Sequence, residues 1–344
     1  MSTNVIQKEF SQIQSYLSCN RFVNPWMQVD YVRSMREYYG NSVWMIEHRH
    51  GEEQIATGLI FVEEKNGRTI AFSGGRFGFL GFEILQDQRC NYECINEVFS
   101  ILIDIKFDAV SLRWDSNTEM EISSLRAASN FKEKYKKVVR QYFVTNVNES
   151  IFEGELVFPR AKKRSNLTRN LAKSMQVGFA SRTTTNLDEI EIWFENCHRK
   201  RMRELDSTGW EWAFFRNLAA SRNTVMFLVL LEDKIVGGCF CIKSDSELEL
   251  IMMSSPGEYL ERGVNYFLTY HIYKWAETNA ILNINWQGSN PPSGGVAKFK
   301  LDWNAHKQDV VLHCIKESSL SDAVIREDYP DRYVFPFLEG MERA

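Results

Sequence analysis

The sequence contains no CxxC, no HExxH and no GK[ST] step. It therefore lacks the spacing of a zinc ribbon, of a zinc protease helix and of a P-loop. Its 7 cysteines stand at 19, 90, 94, 197, 239, 241 and 314. Cys90 and Cys94 share a face if helical, and Cys239 and Cys241 alternate in an apolar stretch where Cys acts as a small hydrophobe. Structural zinc needs four converging ligands, and no second pair is suitably spaced, so no metal is expected. His48 and His50 flank a turn and read as surface residues. No Ser-His-Asp or Cys-His arrangement can be assigned. With 7 Pro and 19 Gly in 344 residues, the chain is neither collagen-like nor disordered. The longest apolar run, Val225–Leu231, is far short of the ~20 residues that span a bilayer. The N-terminus shows no charged segment followed by an apolar one, so a cytoplasmic protein is expected. Charge of one sign is missing too: 41 Lys plus Arg face 45 Asp plus Glu, a net −4. That excludes a generally basic nucleic-acid coat, though not a local basic patch.

Aromatics are plentiful: 9 Trp, 13 Tyr and 23 Phe. They fill two cores or line a cleft. At roughly 100–200 residues per domain, two domains are expected. Residues 1–18 read as a helix on Phe10, Ile13 and Leu17, and a second helix follows Pro25. Strands are expected at Ser42–His48, Gln54–Glu63, Arg68–Phe72 and Ala109–Trp114. The loop Ser73–Gly81 and a helix over Asn91–Lys106 separate the last two strands. The second half repeats the order. Helices at Leu187–Arg203 and Gly209–Ala220 precede strands at Val225–Leu231, Ile235–Lys243 and Leu248–Met253. The loop Ser254–Gly263, a helix over Val264–Thr278 and a strand at Ile281–Trp286 complete it. Gly58 corresponds to Gly238 and Trp114 to Trp286, offsets of 180 and 172. This drift is what loop-length change produces in an internal duplication. The expectation is a mixed α/β chain of two similar units, 1–148 and 149–344, with a basic helix at 160–173.

That basic segment, RAKKRSNLTRNLAK, holds six cations and no acid: Arg160, Lys162, Lys163, Arg164, Arg169 and Lys173. It suits phosphate recognition, nucleic-acid affinity or a solvated helix. His198–Arg203 is a second cationic cluster. Trp210 and Trp212 wall a cleft or pack a core. Arg262, Gly263, Val264 and Asn265 precede a helix. Backbone N–H groups and the macrodipole make such a start an anion site; otherwise Gly263 only permits a turn. Gln287 and Ser289 follow a strand, where an acceptor could be hydrogen-bonded. KFKLDW alternates, placing Lys298 and Lys300 on one side of a strand and Phe299 on the other. A lysine aimed into a cleft steadies a developing oxyanion or a phosphate.

The element order α-α-β-β-β-loop-α-β resembles the GNAT acyltransferase fold. Two units with a basic linker helix resemble the FemABX and BioF2-like acetyltransferase group. NPWMQVDYVRSM resembles its entry helix and KKRSNLTRNLAKSMQVGF its linker helix. SSPGEYLERGVNYFLTYHIYKWA resembles its central strand-loop-helix, and INWQGSNPPSGGVAKFKLDWNAH its closing strand, GS loop and Phe-Lys motif. The family's anion loop usually carries further glycines, whereas Arg262-Gly263-Val264-Asn265 has only Gly263. The coiled-coil arm of aminoacyl-tRNA-using members is missing. The resemblance implies tandem GNAT-like units, each a mostly antiparallel sheet flanked by helices. It implies catalytic roles for Lys300, Gln287 and Ser289, and donor binding, with acyl-CoA as co-substrate, at Arg262–Asn265. It implies substrate contacts at Arg164, Arg169, Trp210, Trp212, Tyr259 and Lys298. Three functions follow. The first is N-acyl transfer from an acyl-CoA or acyl-carrier thioester to an amine of a small or peptide-like acceptor. The second is aminoacyl-tRNA-dependent transfer to a cell-wall precursor. The third is a non-catalytic binding protein on the same scaffold.

Overall fold

The structure is a computed structural model. It describes residues 2–7, 10–19, 27, 29–40, 42–73, 82–84, 101, 107–114, 135–157, 161–207, 210–289, 294–316, 321, 324 and 327. The expected loop over 74–81, nearly all of the helix over 91–106, the Cys90–Cys94 pair and Arg160 lie outside these residues, as does the Arg164 side chain.

In chain order the elements begin with β1 (Ser2–Gln7), α1 (Phe10–Cys19), α2 (Val29–Tyr39), β2 (Ser42–His50), β3 (Glu53–Lys65), β4 (Arg68–Ser73), β5 (Phe82–Ile84), β6 (Ala109–Trp114) and β7 (Tyr135–Asn146). The short strands β8 (Ile151–Phe152) and β9 (Glu155–Leu156) lead to α3 (Ala161–Met175) and β10 (Ala180–Thr184). Helix α4 (Leu187–Trp193) passes into a π-helical turn (Phe194–Arg199), α5 (Lys200–Glu204) and α6 (Trp212–Ala219). Then come β11 (Thr224–Leu231), β12 (Lys234–Lys243), β13 (Glu247–Ser254), α7 (Gly257–Leu260) and α8 (Val264–Thr278). The last described elements are β14 (Asn283–Gly288), α9 (Gly295–Asp302) and β15 (His306–Lys316).

The chain forms two compact units, 1–140 with 309–344, and 141–308. The boundary therefore differs from the expected 148/149, and the C-terminal segment groups with the first unit. Unit 1 runs β1-β2-β3-β4-β6-β15, with β5 beside β3. Unit 2 runs β10-β11-β12-β13-β14-β7. Pairing directions also match. All neighbours are antiparallel except β4 with β6 and β13 with β14. Gly58 and Gly238 lie on the equivalent strands β3 and β12, and Trp114 and Trp286 on β6 and β14. The duplication read from the sequence is thus present in the topology.

Local chemistry explains the elements. Asn66-Gly67 and Glu232-Asp233 take positive φ at 53°, 72°, 51° and 61°, as two-residue hairpin turns require. Asn186 caps α4 by accepting from Asp188 N and Glu189 N. In unit 2, Val225, Phe227, Val229, Cys239 and Cys241 point to one face and pack with Phe267, Leu268, Ile272 and Tyr273 of α8. On the opposite face Phe240 meets Phe215 of α6 at 4.6 Å. This period-2 division makes the sheet a two-sided core. In unit 1, Tyr31 of α2 sits edge-on to Phe61 of β3 at 6.0 Å.

Two expectations need correction. Residues 2–7 are a strand, not the start of a helix: STNVIQ is polar and β-branched and pairs antiparallel with β2. The run KFKLDW is not a strand either, since α9 covers Gly295–Asp302.

Candidate active site

The site of unit 2 is built where two parallel strands part. β13 and β14 pair only at Glu247–Glu249 with Asn283–Asn285. From Leu250 to Ser254, β13 keeps its antiparallel neighbour β12 but has no further pairs with β14. Among the described residues nothing else pairs with this edge of β13, which leaves its backbone donors and acceptors open to an extended chain.

Polar side chains gather at the parting. Glu249 is buried and receives Asn285 Nδ2 at 3.2 Å. Gln287 Nε2 also donates to Glu249. Gln287 itself has a positive φ of 63°, which turns the main chain at the end of β14. Gln287 Oε1 and Ser289 Oγ are buried without a partner. The structure thus brings Gln287 to the parting, and it adds Glu249 and Asn285, which sequence reasoning missed. Acidic and amide residues in alternating strands give no distinctive spacing.

Lys300 occupies a different place from the one expected. Because α9 is a helix, Lys300 points inward and is buried, while Lys298 is exposed. Lys300 Nζ donates to the carbonyl oxygens of Trp286 at 2.7 Å, Gln287 at 3.0 Å and Gly288 at 2.7 Å. Burial pushes its ammonium down to about 7. The three carbonyls oppose that shift, because an ammonium has three donors to satisfy and no acceptor. Lys300 therefore holds the end of β14 through main-chain bonds.

The expected anion loop does form a helix start. Gly263 is the N-cap of α8, in the left-handed region at φ 83°. Tyr266 N and Phe267 N donate to the Gly263 carbonyl, so the N–H groups of Val264 and Asn265 are the ones that precede the intrahelical bonding. A Cβ on Gly263 would come 3.0 Å from Ser174 Cβ of α3, so the glycine serves helix packing as well as the turn. Val264 is fully buried. Asn265 Oδ1 accepts from Ser255 Oγ at 3.3 Å. Arg262 is exposed, its guanidinium 6.0 Å from the Phe179 ring.

The other sequence candidates are placed apart from this group. Trp212 packs on Phe194 and Phe215 at 5.1 and 5.8 Å, and Trp210 on Phe214 at 5.7 Å. Both are half-buried members of an aromatic cluster. Arg169 is exposed and donates to Asn166 Oδ1 at 3.1 Å. Tyr259 lines a cavity of about 460 Å³ with Ile192, Ile235, Val236 and Pro256. Two ion pairs, Arg182 with Glu189 and Lys200 with Glu258, border it.

One residue group was hidden in the cationic cluster. His198 faces inward and is 3% exposed. Its Nδ1 lies 3.1 Å from Ser254 Oγ, and its Nε2 is buried without a partner. Burial, helped by Arg199, pushes the ring down to about 4. The available signal was the inward stripe Trp193, Phe194, Cys197 and His198. Among the described residues no helix is long and apolar enough to cross a membrane. Nor do three His, Cys, Asp or Glu residues there form a group able to hold a metal.

Residues 161–290 match the family model of the acetyltransferase (GNAT) domain. The matched stretch runs from α3 past the end of β14, and so includes the parting strands and the α8 start. Among solved structures, FemX is similar over 90% of this chain and 97% of its own, at 11% identity and a TM-score of 0.65. The C-terminal domain of a putative lysylphosphatidylglycerol synthetase from Agrobacterium fabrum matches 93% of this chain and 95% of its own, at 11% identity and 0.59. A tandem GNAT protein from the clavulanic acid biosynthesis pathway matches 92% and 98%, at 8% identity and 0.52. These likenesses are of fold, and the fold is the tandem GNAT-like one that the sequence resembles. No curated protein sequence matches the chain.

Proposed function

We propose that the protein transfers an acyl group from an acyl thioester, acyl-CoA or an acyl carrier, to an amine of a small or peptide-like acceptor. The observation that carries this reading is the parting of β13 from β14 beyond Glu249, on the strand that the Ser255–Gly263 loop joins to the start of α8. An acyl-CoA is an extended chain with amide groups, ending in phosphates. The free edge of β13 suits the amides. The N–H groups at the start of α8 suit the phosphates. The acceptor nitrogen attacks the thioester carbonyl carbon; the C–N bond forms, the C–S bond breaks with its electron pair going to sulfur, and the proton that leaves nitrogen ends on that sulfur, so the products are an amide and a free thiol. Such direct transfer depends on positioning, not on a covalent enzyme intermediate. In this reading Lys300 fixes Trp286–Gly288, and Gln287 with Glu249 shapes the parting.

The test is a thermal-shift panel of CoA, acetyl-CoA, a long-chain acyl-CoA and aminoacyl-tRNA. A ligand that binds only the folded state raises its stability, by about 2.7 kcal/mol at a hundredfold excess over Kd. The expected result is a rise with at least one acyl-CoA, abolished in Arg262→Glu, which sets a carboxylate beside the helix start. Gly263→Asp is the poorer probe, since its Cβ meets Ser174. A shift with aminoacyl-tRNA alone moves the donor to tRNA. No shift with any of these ligands sinks the transferase reading.

A further inference from the structure

Residues five apart on an α-helix point about 140° away from each other, at 3.6 residues per turn. Trp193 and His198 nevertheless reach the same residue. Trp193 Nε1 donates to the Ser254 carbonyl at 3.2 Å, and His198 Nδ1 lies 3.1 Å from Ser254 Oγ. The π-helical turn Phe194–Arg199 makes this possible. Its i→i+5 bonding widens the turn, so that residues five apart diverge far less than on an α-helix. The strand contributes too. Gly238 stands opposite Ser254 in the β12–β13 ladder. A Cβ on Gly238 would come 2.9 Å from Trp193 Nε1 and 2.6 Å from the Phe227 carbonyl oxygen. The helix gives up regular geometry and the strand gives up a side chain, and both concessions serve one serine.

That serine ends β13, whose other edge has no partner beyond Glu249 among the described residues. Its neighbour Ser255 opens the loop to Gly263 and bonds Asn265 of α8. The ring that holds it also bears a cost. Whichever nitrogen of His198 carries the proton, Nε2 is left buried and unpaired, and an unmade buried hydrogen bond is unfavourable. An apolar side chain packed among Trp193 and Phe194 would avoid that cost. The imidazole is therefore kept for its bond to Ser254.

We propose that Trp193 and His198 are positioning residues for the acyl donor: they fix Ser254, and with it the free edge of β13 and the Ser255–Gly263 loop, in the form that receives the donor chain. The inference rests on the transferase reading above and adds the element that sets its geometry. Neither residue touches the reacting atoms.

The experiment compares wild type, His198→Phe and His198→Asn in two measurements. Amide hydrogen exchange over 250–265 reads the local geometry without ligand, and calorimetric titration with acetyl-CoA reads donor affinity. The Asn amide sits where Nδ1 does and keeps a bond to Ser254; Phe keeps only the ring. The expected result for His198→Phe is exchange faster by about tenfold over 250–265 and acetyl-CoA affinity weaker by about tenfold, the scale of one lost anchoring bond. Exchange in β11 stays at the wild-type rate, and His198→Asn stays within about threefold of wild type in both. Where the Phe variant does not fold, Ser254→Ala removes only the hydroxyl and gives the same readout. A His198→Phe protein that exchanges locally like wild type, or that exchanges faster yet binds acetyl-CoA equally well, overturns this inference alone. A wild-type protein that binds no acyl-CoA overturns the transferase reading and this inference with it.

Discussion

At Lys300 one side chain satisfies three main-chain acceptors, with its Nζ 5.2 Å from the centroid of the Phe143 ring. Lys300→Met keeps the stem and removes the donors. Buried carbonyls left unpaired cost about 1–3 kcal/mol each, and two of the three bonds are fully buried, so unfolding stability is expected to fall by about 2–6 kcal/mol, read from the urea midpoint. A change within about 0.5 kcal/mol, as for a surface lysine, would refute the role. His198 gives a pH signature. Its folded value, about 4, lies below the unfolded 6.5, so the unfolded chain binds the extra proton between those values. Its contribution to stability is complete above pH 6.5 and is lost as pH falls toward 4, by up to about 3 kcal/mol. Urea unfolding from pH 7 to 4 is expected to show wild type losing more stability than His198→Phe. Parallel losses would remove His198 from the acid limb. Neither role was legible in the sequence, because a buried lysine and a buried histidine look like members of the charged runs around them.

Among elements, the hairpins and α8 were legible, and α9 was not. Val264–Thr278 is helical as expected, because its buried residues Val264, Phe267, Leu268, Ile272 and Tyr273 keep the helical spacing in plain apolar letters. In α9 the inward residues are Ala297 and Lys300, three apart. One inward position is a cation, so the apolar period is broken, and KFKLDW shows only its accidental alternation. The same masking affects Leu187–Arg203. Its helical reading is correct in extent, but the π-helical turn inside it has no signature in composition. It becomes visible only through the residue it serves, Ser254. At the N-terminus the helical letters Phe10, Ile13 and Leu17 all lie within α1, and the nine residues before Phe10 carry no such period. The strand there is fixed by its ladder to β2, a partner distant in sequence.

On the scale of the whole molecule, the duplication was legible from element order and the boundary was not, for a topological reason. β6 is followed by β7 in sequence, yet β7 pairs with β14. β14 is followed by β15, yet β15 pairs with β6. Each unit takes its closing strand from the other half of the sequence, so no single cut separates the repeats. The closing strands matter because the parallel ladders are short. β6 pairs with β4 at only Ala109, Val110 and Ser111, whereas β15 pairs with it from Ala109 through Trp114. A chain ending at Gln308 keeps the short ladder and loses the long one. Its β6 amides are expected to lose most of their protection in hydrogen exchange, since an unpaired strand edge opens at far lower free energy than a paired one. The same measurement on β2 and β3, which pair from Ser42 to His50 without help from β15, serves as the internal reference. If β6 remains as protected as in the full chain, the three-residue ladder is sufficient alone, and the late strand is not what holds the first unit's sheet closed.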